Sequence, residues 1–382
     1  MRKILIFATA YYPLIGGAEV AMKEITDRLS DSFQFDMITA LLDRKLARQE
    51  KIGNINVYRV GCGARFLDKL WLALFGQLLA FKLHRQNNYQ AIWSLMASYG
   101  AFSAVRFKKR TGLKFLLTLQ EGDPIGYILK KVCLVSRQFK EIFRLADGLQ
   151  AISNYLLNWG LSLGFKGEIK EVVPNGVDVG RFTKEFSQAE ISSLKNSFGF
   201  PPAAKVIITS SRLVLKNGVG DVIKSLKHLP EYYCFYILGE GELLNDLKNL
   251  TTELDLNQRV AFGGFKNHQA LPKYLKASDI FIRPSLTEGL GNSFLEAMAV
   301  GLPTIGTLVG GIPDFLTEDV TGLVCLPENP VDIARAIKKA GELTVAQKQL
   351  LHQNAMRLIK EKYNWEYISA RMKFFFEILT TK

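Results

Sequence analysis

Two glutamates eight residues apart, Glu288 and Glu296, are the side chains in this sequence best placed to do chemistry. An apolar run typical of a buried strand precedes them, and a Gly-Leu-Gly-Asn-Ser turn between them leads into an apolar helix. Ligands of open α/β sheets bind at the carboxyl ends of strands, and the first amides of a helix can hold an anion. Because carboxylates accept hydrogen bonds from sugar hydroxyls, the segment predicts a site for a sugar that carries phosphate.

A capping role is the alternative explanation for these residues. Ser293 followed three residues later by Glu296 also fits a capping box, in which Ser293 caps the helix and Glu296 reaches back to a backbone amide. Glu288 would then be a solvated acid on a loop. Short motifs give many false positives, so this segment alone leaves both interpretations open.

Glycine turns and basic residues follow other predicted strands. Gly16 and Gly17 follow the first strand and open a helix, where they either admit a ligand close to the backbone or only make a turn. Arg212 and Lys216 follow the first strand of the second half, and a planar guanidinium with a mobile ammonium suits a diphosphate. Solvated surface charge is the alternative for this pair. Phe265 lies in another glycine turn, where its ring would pack near the base of a nucleotide. The alternative is that the glycines only shape the turn, as most such glycines do.

Length and composition indicate a globular protein with two domains. The chain has 382 residues, more than one core usually holds, with 48% hydrophobic and 22% charged residues. No run of uncharged apolar residues is long enough to predict a transmembrane helix. The four cysteines are scattered without a Cys-x-x-Cys motif, and the four histidines lack metal-binding spacing. We therefore expect a reduced, cytoplasmic protein without a bound metal.

Positive charge is concentrated in the first half of the chain. Residues 1–175 carry 25 Lys and Arg against 14 Asp and Glu, a net charge of +11 out of +13 for the whole chain. An anionic membrane surface or nucleic acid would be attracted to such an excess. Because the basic clusters lack the interleaved aromatic residues of a nucleic-acid module, we expect no nucleic-acid partner. Peripheral association of the basic N-terminal domain with the inner face of the plasma membrane is the remaining hypothesis.

Short apolar runs alternate with helical patterns along the chain. This alternation predicts an α/β protein with two parallel sheets covered by helices, one sheet in each half. The turn-rich Pro-Asn-Gly at 174–176 predicts the boundary between a Rossmann-like domain at 1–175 and a second one at 176–362. An aromatic-rich helix at 363–382 is expected to return to the first domain. The predicted strands are Lys3–Ala10, Phe35–Ala40, Ala91–Ser94, Lys114–Leu119, Gly148–Ile152, Lys205–Ser210, Cys234–Leu238, Val260–Phe262 and Asp279–Ile282.

One helical pattern, Arg65–Arg85, is apolar around most of its circumference. Helices of this kind are usually buried in a core. The alternative is a helix that lies partly in a membrane interface, which the basic residues at 108–110 and 130–131 favour.

Taken together, these motifs resemble glycosyltransferase family 4, the retaining nucleotide-sugar transferases of the GT-B fold. The resemblance covers nearly the whole chain and implies two Rossmann-like domains that face each other across a cleft. It also implies a hexosyltransferase that moves a sugar from a UDP-, GDP- or ADP-linked donor to a glycan or lipid-linked acceptor, in cell-surface polysaccharide or glycolipid biosynthesis. The motifs that carry it are Gly16-Gly17, Val-Pro-Asn-Gly-Val-Asp at 173–178, Ser-Arg-Leu at 211–213 with Lys216, the Glu288 and Glu296 pair, and Gly-Gly-Ile-Pro-Asp at 310–314.

The resemblance further implies roles for the site residues. Arg212 and Lys216 would hold the donor diphosphate and stabilise the charge of the leaving group. Glu296 would accept the ribose hydroxyls, and Glu288 those of the donor sugar, while Gly17 would allow close approach. No metal or other cofactor is expected, in line with the lack of an Asp-x-Asp motif. The backbone amides that would meet the sugar and phosphate belong to Leu290, Gly291, Asn292 and Ser293.

One position departs from the family pattern. The family usually has a His after the strand at 114–119, where it contacts the donor sugar, and Gln120 stands there in this chain. A Gln donates and accepts hydrogen bonds but carries no proton at neutral pH, so an acid–base role of the His would be lost. Glu121 or Asp123 would alternatively shape acceptor binding. The alternative function is therefore a catalytically weakened nucleotide-sugar-binding or assembly protein.

Overall fold

The computed structural model describes residues 1–14 and 16–381, which form two compact units. The first unit joins Met1–Gly176 with Trp365–Lys382, and the second is Val177–Asn364. Within the described residues the first unit contains an eight-stranded sheet and the second a six-stranded sheet. The two helix-covered parallel sheets predicted from the sequence are thus confirmed.

The sheet of the first unit is parallel apart from one edge strand. Its order is β3-β4-β2-β1-β5-β6-β7-β8, with β3 antiparallel to β4. The strands are β1 Arg2–Phe7, β2 Phe33–Ala40, β3 Gln49–Ile52, β4 Ile55–Val60, β5 Ala91–Leu95, β6 Lys114–Leu119, β7 Gly148–Ala151 and β8 Ile169–Val172. The helices are α1 Gly17–Arg28, α2 Arg65–Asn87, α3 Tyr99–Thr111, α4 Ile125–Lys131, α5 Ser136–Leu145 and α6 Asn154–Ser162, with a 3₁₀ turn at Cys133–Val135.

All strand pairs in the sheet of the second unit are parallel. The order is β11-β10-β9-β12-β13-β14, so β10 and β11 lie on one side of β9 and β12, β13 and β14 lie on the other. The strands are β9 Lys205–Ser210, β10 Tyr233–Leu238, β11 Val260–Gly264, β12 Ile280–Arg283, β13 Thr304–Gly306 and β14 Leu323–Val324. The helices are α7 Val179–Phe182, α8 Gln188–Asn196, α9 Val219–Ser225, α10 Leu244–Glu253, α11 Leu271–Lys276, α12 Asn292–Val300, α13 Pro330–Glu342 and α14 Val345–Lys362. The 3₁₀ turns are Leu215–Asn217, Leu226–His228 and Ile312–Asp314.

The last helix, α15 (Trp365–Thr380), completes the core of the first unit. The ring of Phe376 packs edge-on against Trp93, with centroids 4.9 Å apart, and lies 5.7 Å from Phe35. Each fully buried Phe side chain contributes about 1.5–3 kcal/mol to stability. The chain enters this helix past Gly176, where a Cβ would come within 2.7 Å of the Trp365 ring. Glycine is therefore required at this turn, and the terminal helix packs in the first unit as expected.

Helix α2 is buried on one face only. Its buried side packs on α3 through small side chains, and Ser103 of α3 donates a hydrogen bond to the Ala73 carbonyl at 3.2 Å. Its opposite side exposes large apolar side chains, so the interpretation of Arg65–Arg85 as a helix buried all round is wrong for that face. None of the helices in residues 1–14 and 16–381 combines the length and the hydrophobicity that a membrane span requires.

Candidate functional site

The last residue of β12, Arg283, organises the loop that carries the two glutamates. Its side chain is buried, with Nε donating to Ser285 Oγ at 3.1 Å and Nη1 donating to Ser293 Oγ at 3.0 Å. Nη2 forms an ion pair with the Glu288 carboxylate, and the guanidinium lies 4.7 Å from the centre of the Phe294 ring. One cation therefore fixes both ends of the turn.

Arg283 was missed by the sequence reasoning, which treated it only as the end of an apolar strand. The available signal was a charge at the last position of an otherwise apolar run, next to a polar turn. Such a residue is rarely buried unless it is paired. The carboxylate needed to pair it lies five residues further on, at Glu288.

The capping box considered for Ser293 and Glu296 does not form. The N-cap of α12 is Gly291, with φ of 98° and no side-chain cap, and the Ser293 hydroxyl accepts from Arg283 instead. The amides of Leu290, Gly291, Asn292 and Ser293 lie at this helix start, as the sequence predicted. The first amides of a helix have no intrahelical acceptor, and they favour an anion.

The backbone of Glu288 rests directly on a glycine turn. The Gly311 amide donates to the Glu288 carbonyl at 3.1 Å, and a Cβ on Gly310 would lie 1.9 Å from that carbonyl oxygen. The Glu288 carboxylate also accepts from the Gly289 amide at 3.1 Å. The Gly-Gly-Ile-Pro-Asp segment noticed in the sequence therefore supports the glutamate that is expected to meet the sugar.

Glu296 is buried in α12, with 8% of its surface exposed. It is the fifth residue of the helix and so lies just beyond its first turn. Burial raises the pKa of its carboxyl, and the positive charges of His268, Arg283 and Arg181 oppose that shift. A desolvated carboxylate is a strong acceptor for hydroxyl groups that can enter the site.

Arg212 and Lys216 lie on the β9–α9 loop, which is joined to the β12–α12 loop. The Leu286 amide donates to the Lys216 carbonyl at 2.7 Å. Gly218 has φ of 67°, and a Cβ there would lie 2.2 Å from the Pro284 carbonyl oxygen, so the two backbones pass in close contact. Arg212 is exposed and Lys216 is half-buried. The structure thus places both predicted cations on a loop that touches the glutamate loop.

One of these loops follows β9 and the other follows β12. The order of the second sheet reverses between these two strands. The crevice outside the carboxyl ends of such a pair is the usual ligand site in open α/β sheets. Phe265 follows β11, and 68% of its surface is exposed, which leaves its ring available for stacking. The glycine turn after β10 has a packing role, since a Cβ on Gly239 would lie 1.8 Å from the Ser211 carbonyl oxygen.

In the first unit, Gly16 and Gly17 lie at the start of α1. Gly16 is the N-cap, and its amide donates to the Glu19 carboxylate at 2.7 Å. Both glycines are exposed, and they follow β1, which neighbours β2 and β5 at the reversal of the first sheet. The predicted glycine turn therefore also occupies a ligand-favouring position of its sheet.

The loop after β6 holds a neutral amide and a buried acid. Gln120 accepts a hydrogen bond from Asn175 through its side-chain oxygen, at 3.1 Å. Glu121 is buried, and its Oε1 accepts from the Ala97 amide at 2.7 Å, while Oε2 has no hydrogen-bond partner within the described chain. Burial raises the pKa of Glu121 to about 7. Asp123 lies exposed, two residues beyond this buried acid.

No group of three or more His, Cys, Asp or Glu side chains in residues 1–14 and 16–381 is arranged to hold a metal ion.

Comparisons with known proteins cover both halves of the chain. Residues 15–181 match the family model described as glycosyltransferase family 4, and residues 190–365 match the model described as glycosyl transferases group 1. An uncharacterized glycosyltransferase of Methanocaldococcus jannaschii, MJ1069, is 27% identical over 99% of this chain and 100% of its own length.

Other relatives match over shorter segments. A GDP-mannose-dependent monoacylated α-(1-6)-phosphatidylinositol monomannoside mannosyltransferase of Corynebacterium glutamicum is 33% identical over 56% of this chain and 58% of its own length. An Escherichia coli UDP-Gal:α-D-GlcNAc-diphosphoundecaprenol α-1,3-galactosyltransferase is 34% identical over 42% of this chain and 39% of its own. The chain spans about half the length of several curated relatives that it matches.

Solved structures share the fold along the whole chain. Anabaena HepE in complex with UDP and glucose aligns with a TM-score of 0.80 at 19% identity, over 99% of this chain and 100% of that one. Sucrose-phosphate synthase from Thermosynechococcus elongatus aligns with a TM-score of 0.83 at 19% identity, over 99% of both chains. These likenesses confirm the GT-B fold expected from the sequence.

Proposed function

We propose that this chain, which belongs to the group 1 glycosyltransferases of family 4, transfers a hexose from a nucleotide-sugar donor to a glycan or lipid-linked acceptor. The observation that carries the proposal is the contact between the β9–α9 and β12–α12 loops at the reversal of the second sheet. These two loops and the helix that follows carry two cations and two carboxylates. A nucleotide sugar presents the complementary groups, namely a diphosphate and two sets of sugar hydroxyls.

Arg212 and Lys216 bind the diphosphate in this proposal. The exposed guanidinium can form two parallel hydrogen bonds to phosphate oxygens, and the ammonium adds a point charge. Negative charge grows on the leaving phosphate as the sugar departs, so cations held there stabilise the transition state more than the ground state. The amides at the start of α12 act in the same direction.

Glu296 and Glu288 orient the two sugars of the donor. Glu296 accepts from the ribose hydroxyls, since its buried carboxylate gains acceptor strength from desolvation. Glu288 accepts from the transferred sugar, held in place by Arg283 and the Gly310 turn. Phe265 stacks on the base. Transfer with retention of the anomeric configuration is the outcome expected of the family, and we assign no nucleophile.

We propose that the reaction needs no metal ion, because Arg212, Lys216 and the helix amides supply positive charge at the phosphates. The test is the rate of donor consumption before and after dialysis against EDTA. An unchanged rate is expected. A rate lost to EDTA and restored by Mg²⁺ or Mn²⁺ would contradict this part of the proposal.

The acceptor is proposed to be lipid-linked. The names of two of the relatives described above specify acceptors with lipid parts, namely a phosphatidylinositol monomannoside and a diphosphoundecaprenol-linked sugar. A lipid acceptor would bring the reaction to a bilayer surface, in line with the proposed peripheral association with the inner face of the plasma membrane.

A second candidate function is a nucleotide-sugar-binding or assembly protein with weakened catalysis. Gln120 favours it, because a neutral amide bound to Asn175 stands where the family has a His. The two functions agree on donor binding and differ in turnover.

The experiment that tests the proposed function measures consumption of UDP-, GDP- and ADP-hexoses in the presence of detergent-dispersed polyprenyl-diphosphate sugars and glycolipids. One donor is expected to be consumed with acceptor, giving a product whose anomeric configuration matches the donor by NMR. Binding of a donor without transfer or hydrolysis would favour the second function. An inverted product would overturn retention.

A further inference from the structure

The outer face of α2 carries a continuous apolar stripe. Two adjacent rows of large side chains on this face are exposed, and each row follows the four-residue spacing that places side chains above one another on a helix. The ring centres of Trp71 and Phe75 are 5.0 Å apart, so neighbouring side chains already pack on each other. The rows are Phe66, Leu70, Leu74 and Leu78, and Leu67, Trp71 and Phe75. Monomeric soluble proteins seldom expose a patch of this kind unless something binds it.

The helix is held firmly from its opposite face. Asp68 in its first turn is fully buried and accepts from the amides of Leu42, Cys62 and Gly63 at 2.6–3.0 Å. Further along, a Cβ on Gly76 would lie 3.0 Å from Ser103 Oγ of α3, so the two helices are in close contact. The stripe is therefore presented outward by a fixed helix.

Basic groups border the stripe at its carboxyl end. A pocket of about 510 Å³ lies next to Leu78, and it is lined by Phe81 together with three basic side chains. The Arg110 guanidinium lies 5.5 Å from the centre of the Phe81 ring. Lys82 and Arg85 are exposed beside it. Arg65 and Lys69 flank the other end of the stripe, and the acid of α2, Asp68, is buried and fully engaged.

We propose that this face, residues 65–85 with Arg110, docks the first unit onto a bilayer that contains anionic lipid. Apolar side chains on one face with cations at the edges are typical of helices that lie in the interface plane. The apolar rows enter the acyl boundary, while Lys82, Arg85 and Arg110 meet lipid phosphates. This proposal rests on the lipid-linked acceptor proposed above and identifies the surface that reaches it.

The charges favour a bilayer over a second copy of the chain. An isologous contact would bring the same basic groups of two copies towards each other, with no exposed acid of α2 to pair them. An anionic membrane supplies complementary charge, worth roughly a fivefold gain in affinity for each basic residue near its surface.

A second apolar and basic segment lies at the same edge of the first sheet. Helix α4 follows β6 and buries none of its side chains, and Leu134 in the next turn is 95% exposed. Lys130 and Lys131 lie at the end of α4. Helix α2 follows β4, which runs parallel to β6 within the sheet, so both segments begin at the carboxyl ends of strands.

The test is flotation of the full chain with vesicles of phosphatidylcholine, with and without phosphatidylglycerol. The wild-type chain should bind the anionic vesicles, less tightly as salt rises. Trp71→Glu with Phe75→Glu should lower the partition coefficient by about tenfold or more. Phe374→Glu, at a side chain 48% exposed on α15 against 43% for Phe75, is the matched control and should bind like the wild type.

The charged end is tested separately. A triple variant with Lys82→Ala, Arg85→Ala and Arg110→Ala should bind anionic vesicles roughly 100-fold less tightly, at about a fivefold loss for each basic residue. The control is a triple variant of α14 in the second unit, which loses the same charge and should bind anionic vesicles like the wild type. Its substitutions are Arg357→Ala, Lys360→Ala and Lys362→Ala. Failure of the wild-type chain to float, or equal flotation of the α2 variants, would overturn the proposal. So would a dimer in sedimentation that Trp71→Glu dissociates, because the stripe would then be a self-association surface.

Failure of this proposal and failure of the proposed function can be told apart. Donor binding, measured by calorimetry, should be the same in the α2 variants and the wild type. Vesicle binding without transfer of any sugar would leave the docking surface standing and remove the enzymatic proposal. Transfer to a dispersed acceptor without vesicle binding would do the reverse.

Discussion

The carboxyl edges of the two sheets differ in how they hold charge. In the second unit, Arg212 and Lys216 lie on a loop joined to that of Glu288, and one buried cation, Arg283, holds the turn between the glutamates in place. In the first unit the corresponding loops offer an exposed glycine turn, a neutral amide at Gln120 and an acid buried among backbone groups. The proposed function therefore assigns recognition of the charged donor to the second unit, whose loops bring cations and carboxylates together.

Loss of the cations on the β9–α9 loop should have the largest effect. Lys216→Ala should lower the rate of sugar transfer by about 10²–10³-fold, the usual cost of removing one group that stabilises developing negative charge. Adding Arg212→Ala should lower it further. The rate of donor consumption is the measurement, with Lys224→Ala, an exposed lysine of α9 paired with Asp221, as the control. If Lys216→Ala transferred sugar at the wild-type rate, Lys216 would not bind the diphosphate.

Replacing Arg283, the cation that pairs with Glu288, should destabilise the folded chain. Arg283→Met leaves the Glu288 carboxylate, whose side chain is 16% exposed, without its partner, which should lower the free energy of unfolding by about 3 kcal/mol. Arg283→Met combined with Glu288→Gln should recover much of the loss, because no unpaired charge remains. Urea denaturation of the two single variants and the double variant measures the coupling. Additive losses would show that the pair is not coupled.

Glu296→Gln should weaken donor binding while stabilising the unliganded protein. Loss of hydrogen bonds from the ribose to a carboxylate should lower donor affinity roughly 10- to 100-fold. Because burial raises the pKa of Glu296 in the folded chain, its stability contribution is present below the unfolded pKa and lost as pH rises through the folded pKa. Glutamine has no such loss, so the stability advantage of the variant should grow with pH. Calorimetry and urea denaturation test the two parts, and an advantage that shrinks with pH would contradict the second.

Glu121→Gln should change pH-dependent stability without changing donor affinity. The pKa of Glu121 is raised to about 7 by burial, so the wild type loses stability as pH rises from about 4.5 through 7. The variant should therefore gain about 1–3 kcal/mol over the wild type between pH 5 and pH 8. Glu366→Gln, at an exposed acid of α15, is the control. A stability difference between variant and wild type that stays constant from pH 5 to pH 8 would contradict the first expectation. Reduced donor affinity would contradict the second.

Much of the fold could be predicted because buried parallel strands are short apolar runs. The nine predicted strands correspond to β1, β2, β5, β6, β7, β9, β10, β11 and β12, with small differences at the ends. Strands β3, β4, β8, β13 and β14 were not in that set, because only continuous apolar runs were taken as strands and these five are short or only partly apolar. The two faces of α2 could not be separated either, because both are apolar and only packing decides which one is covered.

The positions of the candidate site residues could be predicted better than the side chains that hold them in place. The structure places the predicted residues on and just after two hydrogen-bonded loops of the second unit, as their positions after strands indicated. They are the two glutamates, the cations of the β9–α9 loop and the amides at the start of α12. Arg283 was missed because a charge at the end of an apolar run was its only signal in the sequence, while the partners that bury it, Ser293 and Glu288, are brought to it by the turn. Ser293 was open to misreading as a cap for the same reason, since its partner comes from the preceding strand.

The central claim is that the second unit binds the donor through Glu296 and Lys216. The most direct measurement is calorimetric titration of the wild type, Glu296→Gln, Lys216→Ala and Glu121→Gln with UDP-, GDP- and ADP-hexoses, without metal. One donor should bind the wild type and Glu121→Gln equally, with markedly weaker binding to the other two variants. Equal affinity in all four proteins, or loss of binding only in Glu121→Gln, would contradict the claim.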